Sequence, residues 1–402
     1  MRVSLRSRIV MLVVVTVTAV LASTRLNADT GTCGGASLTL PFTDVPSSNV
    51  FFCSIAEAFF SGLTNGTTST TYNPGGTVPR EQMAAFVSRT MDQSVKRASK
   101  RAVLDQFWTT QVAANLALTT VGGFPFGVKS DGADLWVAND GSHSVSRVRA
   151  SDGKLIGTWT GSTFGNQVLV AMGKIFVAGA TVPGSLYQID PTQPPGAVST
   201  VTSSLGDGSS GIAFDGQRIW IANQGSGQNF TGSVSIVTLN PLQVITVTTG
   251  LSSPKGILYD GANIWVTDPA DSKLYKLDSS GNILLSVPVN TAPQHPAFDG
   301  TNIWVPSILN SVNVVRATGA LAGTVLATLT GNGLDGCQQA AFDGERILIT
   351  NGFGNSVSWW RASDLTPIGT FSTGPDTDPI GVCSDGVNFW ITLGTPAKLA
   401  RF

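Results

Sequence analysis

One short motif recurs through most of the chain at nearly constant spacing. Asp-Gly followed by an apolar segment stands at six places, and Met172-Gly173 fills the one long gap between copies. The first residues of the seven copies are Asp131, Met172, Asp215, Asp260, Asp299, Asp343 and Asp385. Successive copies are 41, 43, 45, 39, 44 and 42 residues apart. This period is typical of the four-stranded blade of a β-propeller, which takes about 40–45 residues. The spacing therefore predicts seven blades.

Each copy leads into a short apolar run that we interpret as the second strand of a blade. The seven runs are residues 135–137, 175–177, 219–221, 264–266, 303–305, 347–349 and 389–391. Asp-Gly between two apolar runs predicts a hairpin with a type I′ turn, in which both central residues have positive φ. A tryptophan stands in the middle of five of the runs, where we expect it to pack between blades. These tryptophans are Trp136, Trp220, Trp265, Trp304 and Trp390.

The two ends of the repeat region complement each other. The last unit has strand-like segments at 380–384, 389–392 and 398–402, and the chain stops one strand short of a complete blade. A segment with the form of the missing fourth strand, residues 116–122, precedes the first Asp-Gly. A strand from there would close the ring and leave no open sheet edge in the last blade. The predicted fold is mainly β, a seven-bladed propeller over residues 112–402.

The best-preserved copies share a longer pattern, Pro-x-Gly-(Val/Ile)-x-x-Asp-Gly followed by Trp-Val-x-Asn. It is complete at residues 125–139, has Asp268 in place of the final Asn at 254–268, and has further changes at 379–392. This pattern resembles the blade repeat of the YncE/YVTN and NHL-like propellers. The resemblance implies a propeller architecture. It leaves the function open, because such folds carry unrelated activities.

The first 28 residues have the features of an export signal. Arg2, Arg6 and Arg8 precede an apolar run over residues 9–21, and small residues follow it. This order predicts an exported protein that is cleaved after Ala22 or after Ala28.

Four cysteines remain in a chain bound for an oxidising compartment. Cys33 and Cys53 fall in the small N-terminal region, and we expect them to form a disulfide there. Cys337 and Cys383 lie in neighbouring repeats, and the sequence leaves open whether they pair or stay as buried thiols.

Residues 41–92 have a helical pattern that differs from the repeat. A predicted helix at 52–60 is followed by the run Gly-Leu-Thr-Asn-Gly at 62–66 and by a second predicted helix at 80–91. With Phe-x-Asp-Val at 42–45, this order resembles a single S-layer homology (SLH) module, which we place at residues 29–95. The resemblance implies attachment to cell-wall polysaccharide or to an envelope protein, with Asp44 and Arg80 at positions that match the family motif.

The module departs from that family in two ways. Pro79 and Glu81 replace a Thr and an Ala of the motif, and one module is present where three usually build the binding unit. A purely structural role for Arg80 and Glu81 at a helix start is an equal alternative. A basic linker at residues 96–111 then leads to the propeller, either as a solvated connection or as a contact for anionic polymer.

Composition narrows the classes of function. The formal net charge is −1, with 24 basic and 25 acidic residues, so no overall field favours nucleic acid, and we expect no nucleic-acid partner. Two histidines give little material for a Ser-His-Asp triad or a multi-histidine metal site, and no cofactor is expected.

Antiparallel pairing places the start of each first strand and the end of each second strand at one mouth of the central channel. The polar residues predicted there form a candidate site for a small molecule or a protein partner. They are Asn139, Asn223, Lys255, Asp268, Gln294, His295, Gln338 and Asn351. Asparagine also suits strand ends because it stabilises turns, which gives a structural alternative for the three asparagines.

Three hypotheses of function follow. The preferred one is an exported or envelope-attached propeller that binds a ligand or partner at this mouth, with the SLH-like module as a tether. The second is a lyase or hydrolase that acts through His295 with Asp268 or Asp271, in the manner of the virginiamycin B lyases, which such propellers resemble. The third is a structural component of a surface layer.

Overall fold

The computed structural model describes residues 29–33, 36–60, 64–80, 82–84, 86–87, 117–226 and 231–402. The chain divides into two compact units, residues 1–97 and 98–402. The predicted export signal and the basic linker at 96–111 lie outside the described residues. Within the described ranges, no helix has the length and apolar character that a bilayer crossing requires.

The N-terminal unit is built around a disulfide and a short helix. β1 (Thr30–Cys33) pairs antiparallel with β2 (Ala36–Thr39), a hairpin that the sequence did not predict. Helix α1 (Phe52–Phe60) lies where the helical pattern predicted it. The predicted disulfide between Cys33 and Cys53 is confirmed, and it ties β1 to the start of α1. Of the second predicted helix, residues 80, 82–84 and 86–87 are helical, and the rest lie outside the described residues.

The second unit is a ring of seven antiparallel sheets of four strands each, as the repeat predicted. Blades 1 to 3 contain β4 (Pro125–Ser130), β5 (Asp134–Asn139), β6 (Ser144–Arg149) and β7 (Leu155–Thr160); β8 (Gly165–Ala171), β9 (Lys174–Gly179), β10 (Gly184–Ile189) and β11 (Ser199–Leu205); and β12 (Ser209–Phe214), β13 (Ile219–Asn223), β14 (Ser233–Leu239) and β15 (Leu242–Val247).

Blades 4 to 6 contain β16 (Ile257–Tyr259), β17 (Ile264–Asp268), β18 (Lys273–Leu277) and β19 (Ile283–Pro288); β20 (Ala297–Phe298), β21 (Asn302–Ser307), β22 (Ser311–Arg316) and β23 (Val325–Leu329); and β24 (Cys337–Phe342), β25 (Arg346–Asn351), β26 (Ser356–Arg361) and β27 (Pro367–Ser372). Blade 7 contains β28 (Pro379–Ser384), β29 (Phe389–Leu393), β30 (Lys398–Arg401) and β3 (Ala117–Thr120).

The ring closes as the chain ends predicted. β3 pairs antiparallel with β30, with Leu118 opposite Ala400 and Thr120 opposite Lys398. The strand that precedes blade 1 thus supplies the fourth strand of blade 7. The first strands of neighbouring blades contact one another around the axis, so they form the wall of the central channel.

The aspartate of the Asp-Gly motif joins each turn to the core of its blade. In blade 4, Asp260 Oδ1 accepts hydrogen bonds from the N–H groups of Ala262 and Asn263, and Asp260 Oδ2 accepts one from Trp265 Nε1 at 2.7 Å. The same indole bond forms in the four other blades that carry both residues, from Trp136, Trp220, Trp304 and Trp390. All five tryptophans are fully buried, which confirms that they are core residues.

Blades 2 and 6 lack this tryptophan, and they show what replaces the hydrogen bond between aspartate and indole. In blade 2 the turn has Met172, which cannot accept a hydrogen bond, and the strand has Phe176, which has no N–H to donate. In blade 6 the strand has Leu348, and Asp343 Oδ2 instead accepts a hydrogen bond from Arg346 Nε at 2.7 Å. The aspartate is therefore lost with its indole donor in blade 2 and keeps a side-chain donor, the guanidinium of Arg346, in blade 6.

The predicted type I′ geometry was wrong for the six Asp-Gly turns. In the described chain their glycines have positive φ and the preceding aspartates do not. In blade 3, for example, Phe214 pairs with Ile219, and the intervening four-residue loop is held by Asp215. A carboxylate that binds two backbone N–H groups favours this wider loop. The Met172-Gly173 copy is the two-residue I′ turn, with φ of 51° and 69°.

We predict that the closure of the ring depends on Thr392. Its Oγ1 donates to the carbonyl of Phe126 in blade 1 at 2.7 Å and accepts from Gly381 N at 2.7 Å. Thr392→Val keeps the shape of the side chain but leaves two buried backbone groups without this partner. It should lower the free energy of unfolding by about 1–3 kcal/mol. Thr392→Ser, which keeps the hydroxyl, is the control in urea denaturation. Equal stability of the two variants would contradict the prediction.

Candidate functional site

The first strands are irregular where they begin. In five blades the pairing with the second strand skips a residue there, between Pro125 and Val128 in blade 1 and at the equivalent places in blades 2, 3, 6 and 7. Such bulges redirect the side chains next to them. We call this end of the channel the mouth. The seven equivalent residues at the bulge, the ring positions, are Gly127, Gln167, Gly211, Gly256, His295, Gln339 and Gly381.

Four ring positions are glycine because the first strand of the next blade passes very close. A Cβ on Gly211 would lie 2.5 Å from the carbonyl oxygen of Lys255, and one on Gly256 would lie 2.8 Å from that of Gln294. Real Cβ contacts are essentially never this short, so a side chain at these positions would push the blades apart.

The other three ring positions hold polar side chains. Gln167, His295 and Gln339 are each at most 6% exposed. Each has one buried polar atom with no hydrogen-bond partner among the described residues, namely Gln167 Nε2, His295 Nε2 and Gln339 Oε1. Buried polar atoms are normally paired, so their concentration at equivalent positions of one ring indicates a place for a ligand or for water.

Side chains from three blades meet in the channel. The ring of Phe126, in blade 1, packs edge-on against that of His295, in blade 5, with centroids 6.4 Å apart. Lys255, in blade 4, donates a hydrogen bond from Nζ to Gln294 Oε1. Lys129 and Lys255 are both near enough to act electrostatically on His295. We call Phe126, Lys129, Lys255, Gln294 and His295 the channel cluster.

The channel cluster shifts the titration of its own members. Burial, reinforced by the positive charges of Lys255 and Lys129, lowers the pKa of His295 to about 3, so the imidazole is neutral at pH 7. Burial lowers the pKa of Lys255 to about 8. In the described part of the chain no salt bridge neutralises Lys255, and no carboxylate supports its charge.

Of the residues predicted at the mouth, the structure brings Lys255, Gln294 and His295 together. The three asparagines also lie at this end of their blades, opposite the starts of the first strands, but their side chains bond within the sheet. Asn139 is fully buried, and its amide donates to the hydroxyls of Ser144 and Ser146 on the next strand of its own blade. The amide of Asn351 donates in the same way to Ser356 and Ser358. Asn223 contacts the hydroxyls of Ser233 and Ser235 at the equivalent place, with its side-chain oxygen accepting from both. Their observed role is structural but differs from the predicted turn stabilisation, because each amide binds two hydroxyls of the next strand inside the sheet.

Asp268 is also a structural residue in its blade. Its fully buried carboxylate accepts hydrogen bonds from the N–H groups of Ser252 and Ser253 at 2.8 Å and 3.0 Å. Asp271 accepts from the hydroxyls of Ser252 and Tyr275. Both carboxylates therefore bind groups of blade 4 and of the loop that leads into it, and these contacts do not include His295.

Sequence reasoning missed three members of the mouth. It did not select Phe126, Lys129 or Asp378 as site residues. The carboxylate of Asp378 and the amide of Gln338 both lie beside Gly352, and burial raises the pKa of Asp378. The ring positions could have been found from the sequence. An alignment of the seven first strands shows glycine at four of these positions and a polar residue at the other three. The channel cluster consists of one of those polar residues, His295, and of residues within two positions of a ring position.

Two observations concern the groups that could bind a metal ion or act as thiols in the described ranges. These ranges contain no group of three or more His, Cys, Asp or Glu side chains that could hold a metal ion. Cys337 and Cys383 do not pair; both are buried free thiols, and burial raises the pKa of each to about 12.

The two residues that match the SLH motif have different environments. Asp44 accepts hydrogen bonds from the N–H groups of Tyr72 and Asn73, which lower its pKa although burial acts to raise it. Arg80 is exposed at the start of the second helical segment. A cavity of about 650 Å³ lies in this unit, lined by polar and aromatic side chains that include Asn65, Tyr72 and Gln82.

The propeller is similar to solved structures of several proteins. A streptogramin B lyase structure is 17% identical, with a TM-score of 0.58, and the match covers 71% of this chain and 97% of that one. A catalytically inactive virginiamycin B lyase from Staphylococcus aureus with quinupristin is 16% identical, with a TM-score of 0.58 and coverage of 71% and 98%. Hydrazine synthase from Kuenenia stuttgartiensis is 18% identical, with a TM-score of 0.57 and coverage of 71% and 97%.

These similarities establish the fold and leave the activity open, because proteins with different names share the same propeller at low identity. No protein-family model and no curated protein matches the chain.

The buried neutral imidazole makes stability depend on pH. The unfolded His295 takes up a proton as the pH falls below about 6.5, whereas the folded one does so near pH 3, so its contribution to stability is lost as the pH falls through that window. Between pH 7.5 and pH 4.5 we expect the wild type to lose about 2 kcal/mol more than His295→Gln. Urea denaturation of both at the two pH values measures the difference. Parallel losses would show that His295 titrates normally in the folded protein.

Proposed function

We propose that the protein is an exported propeller that binds an anionic ligand at the mouth of its channel through the channel cluster. The observation that carries the proposal is Lys255, a half-buried lysine whose ammonium group has one described polar partner, the neutral amide of Gln294. A buried charge without a counter-charge is unfavourable. A carboxylate or phosphate group of a ligand would supply the counter-charge.

The other members of the cluster suit the same role. A neutral His295 offers Nε2 as a donor or an acceptor, and this atom has no partner among the described residues. Gln167 and Gln339 add an amide donor and an amide acceptor at equivalent ring positions. Pre-formed polar groups in a concavity orient a ligand and select it. The similarity to lyase structures supports the fold in which such a site is built.

Lys255 gives the first test. A screen of carboxylates and phosphates by thermal shift selects a ligand, and calorimetry then measures its affinity. Lys255→Met should weaken binding at least tenfold, which corresponds to about 1.4 kcal/mol. Lys154→Met, at an exposed lysine, is the control. Wild-type affinity should fall as the pH rises from 7 to 10, because Lys255 loses its proton near pH 8. Unchanged affinity in Lys255→Met would refute the proposal.

Catalysis is the second candidate, favoured by the likeness to virginiamycin B lyase. Its residue would be His295, since Asp268 and Asp271 are bound within blade 4. Incubation with quinupristin, followed by mass spectrometry and chromatography, tests it. A product that forms with the wild type and not with His295→Ala would support catalysis, and unaltered quinupristin would exclude this substrate.

We also propose that the N-terminal unit tethers the propeller to cell-wall polysaccharide. The support is the SLH-like order of its segments, the exposed Arg80 and the polar and aromatic cavity. The disulfide between Cys33 and Cys53 suits an oxidising compartment outside the cytosol, which supports export.

Sedimentation of the full-length protein with purified cell walls tests the tether. Arg80→Ala should release a large part of the protein into the supernatant, because an exposed guanidinium can bind acidic or hydroxylated polymer. Asp44→Ala should also weaken wall binding, indirectly, by freeing the segment at Tyr72 and Asn73. Arg149→Ala, at an exposed residue of the propeller, is the control. Equal sedimentation of wild type and Arg80→Ala would contradict the role of Arg80.

A further inference from the structure

One repeat position near the start of the first strands, seven residues before the turn aspartate and eight before Met172, adopts an unusual backbone conformation. In six blades it has positive φ, and in blades 3 and 6 it is glycine, at Gly208 and Gly336. Blades 5 and 7 have Ala292 and Asp378 at this place. Blades 1 and 2 have phenylalanine, Phe124 and Phe164, each with φ of 49°. Six blades share the positive φ at this position, but only blades 1 and 2 have a large side chain there.

A phenylalanine is an unfavourable choice for this conformation. Left-handed backbone geometry crowds Cβ of any residue except glycine, and bulky residues adopt it rarely. Phe124 and Phe164 are also 41% and 49% exposed, so burial compensates for the strain incompletely. Since glycine serves in equivalent loops of the same ring, the fold does not require these two rings. Strained and exposed residues of this kind point to a binding role.

Both rings are held at the mouth. The imidazole of His143 packs edge-on against Phe164 with centroids 4.8 Å apart, and His143 Nδ1 accepts a hydrogen bond from Phe164 N at 3.0 Å. The ring of Phe124 lies beside Gly394 and its Cβ lies beside Gly141, in loops at the same end of blades 7 and 1.

One of the two exposed rings, that of Phe124, lies directly before β4, the strand that carries Phe126 of the channel cluster. Phe126 follows Phe124 by two residues, on the strand that forms the channel wall, and its ring contacts His295. The chain therefore passes within two residues from the rim at Phe124 to the aromatic contact with the imidazole, and Lys255 is near enough to His295 to act on it electrostatically. From the rim inward the order is exposed aromatic ring, channel aromatic ring, imidazole and ammonium group.

We infer that the ligand is an amphiphilic anion, a small molecule with a carboxylate or similar group for Lys255 and an aryl or alkyl body for Phe124, Phe126 and Phe164. This inference rests on the proposed function. Charge complementarity selects the anionic end, because the cluster contains two ammonium groups and no carboxylate. The apolar end follows from the two rings, which the repeat does not need.

The test uses the full-length protein and four probes. Anilinonaphthalene sulfonate reports binding by its fluorescence, and decanoate, decanol and inorganic phosphate compete with it. Decanoate should displace the dye at concentrations at least tenfold below those needed for decanol or phosphate. Phe124→Gly and Phe164→Gly should each weaken the binding of dye and decanoate about tenfold, as truncation of an aromatic contact residue commonly does. Phosphate binding should not change.

Glycine is the informative substitution because it separates binding from folding. It removes the ring together with the backbone strain, so the melting temperature should stay within a few degrees of the wild-type value. Leu284→Ala, at an exposed apolar residue of the outer strand β19, is the control and should leave dye binding unchanged.

The outcomes separate the inference from the proposed function. If the two phenylalanine variants bind dye and decanoate like the wild type, or if phosphate competes as well as decanoate, the amphiphilic inference is overturned. The anion site still stands in that case provided that Lys255→Met weakens phosphate binding. If Lys255→Met binds both phosphate and decanoate normally, the proposed function fails and the inference fails with it.

Discussion

The pairing of β3 with β30 is the contact on which the rest of the propeller depends. It joins residues from the two ends of the repeat region and completes blade 7, so that no blade is left with a missing strand. It also sets blade 7 against blade 1, where Thr392 donates to the carbonyl of Phe126. Phe126 is thereby held in the channel wall opposite His295. The site is therefore a consequence of closure, since its members come from blades that are far apart in sequence.

Residues that follow the repeat and residues that break it have different roles. The aspartate of each turn, the tryptophan that binds it and the asparagine at the end of the second strand recur, and each is used inside its own blade. His295 breaks the repeat at a ring position that is glycine in four blades. Phe124 and Phe164 break it at a position that is glycine in two. Both departures carry an energetic cost, and both lie at the mouth. In a repeat protein, a binding site is most readily found at positions where a residue departs from the repeat and thereby destabilises the fold.

The sequence was sufficient for the architecture and insufficient for the site. The number of blades, the closing strand and the buried tryptophans followed from periodicity, because each repeat has the same local pattern. The turn type was wrong, since the side-chain bonds of Asp131 and its equivalents decide the loop length. The asparagines do end their strands at the mouth, but counting strand ends does not tell which way each side chain points. The contact of Phe126 with His295 depends on bulges and on the diameter of the ring, which no local pattern specifies.

The central claim is that the ammonium group of Lys255 has no carboxylate partner among the described residues and therefore binds an anionic ligand. Selective ¹³C-methylation of the lysines, with Lys255→Arg used to assign the Lys255 signal, allows its titration to be followed by NMR. We predict a pKa near 8 for the free protein. We also predict a rise when a carboxylate ligand such as decanoate is added, because a bound anion favours the protonated form. A pKa near the ordinary lysine value of about 10.4, unchanged by the anion, would contradict the account.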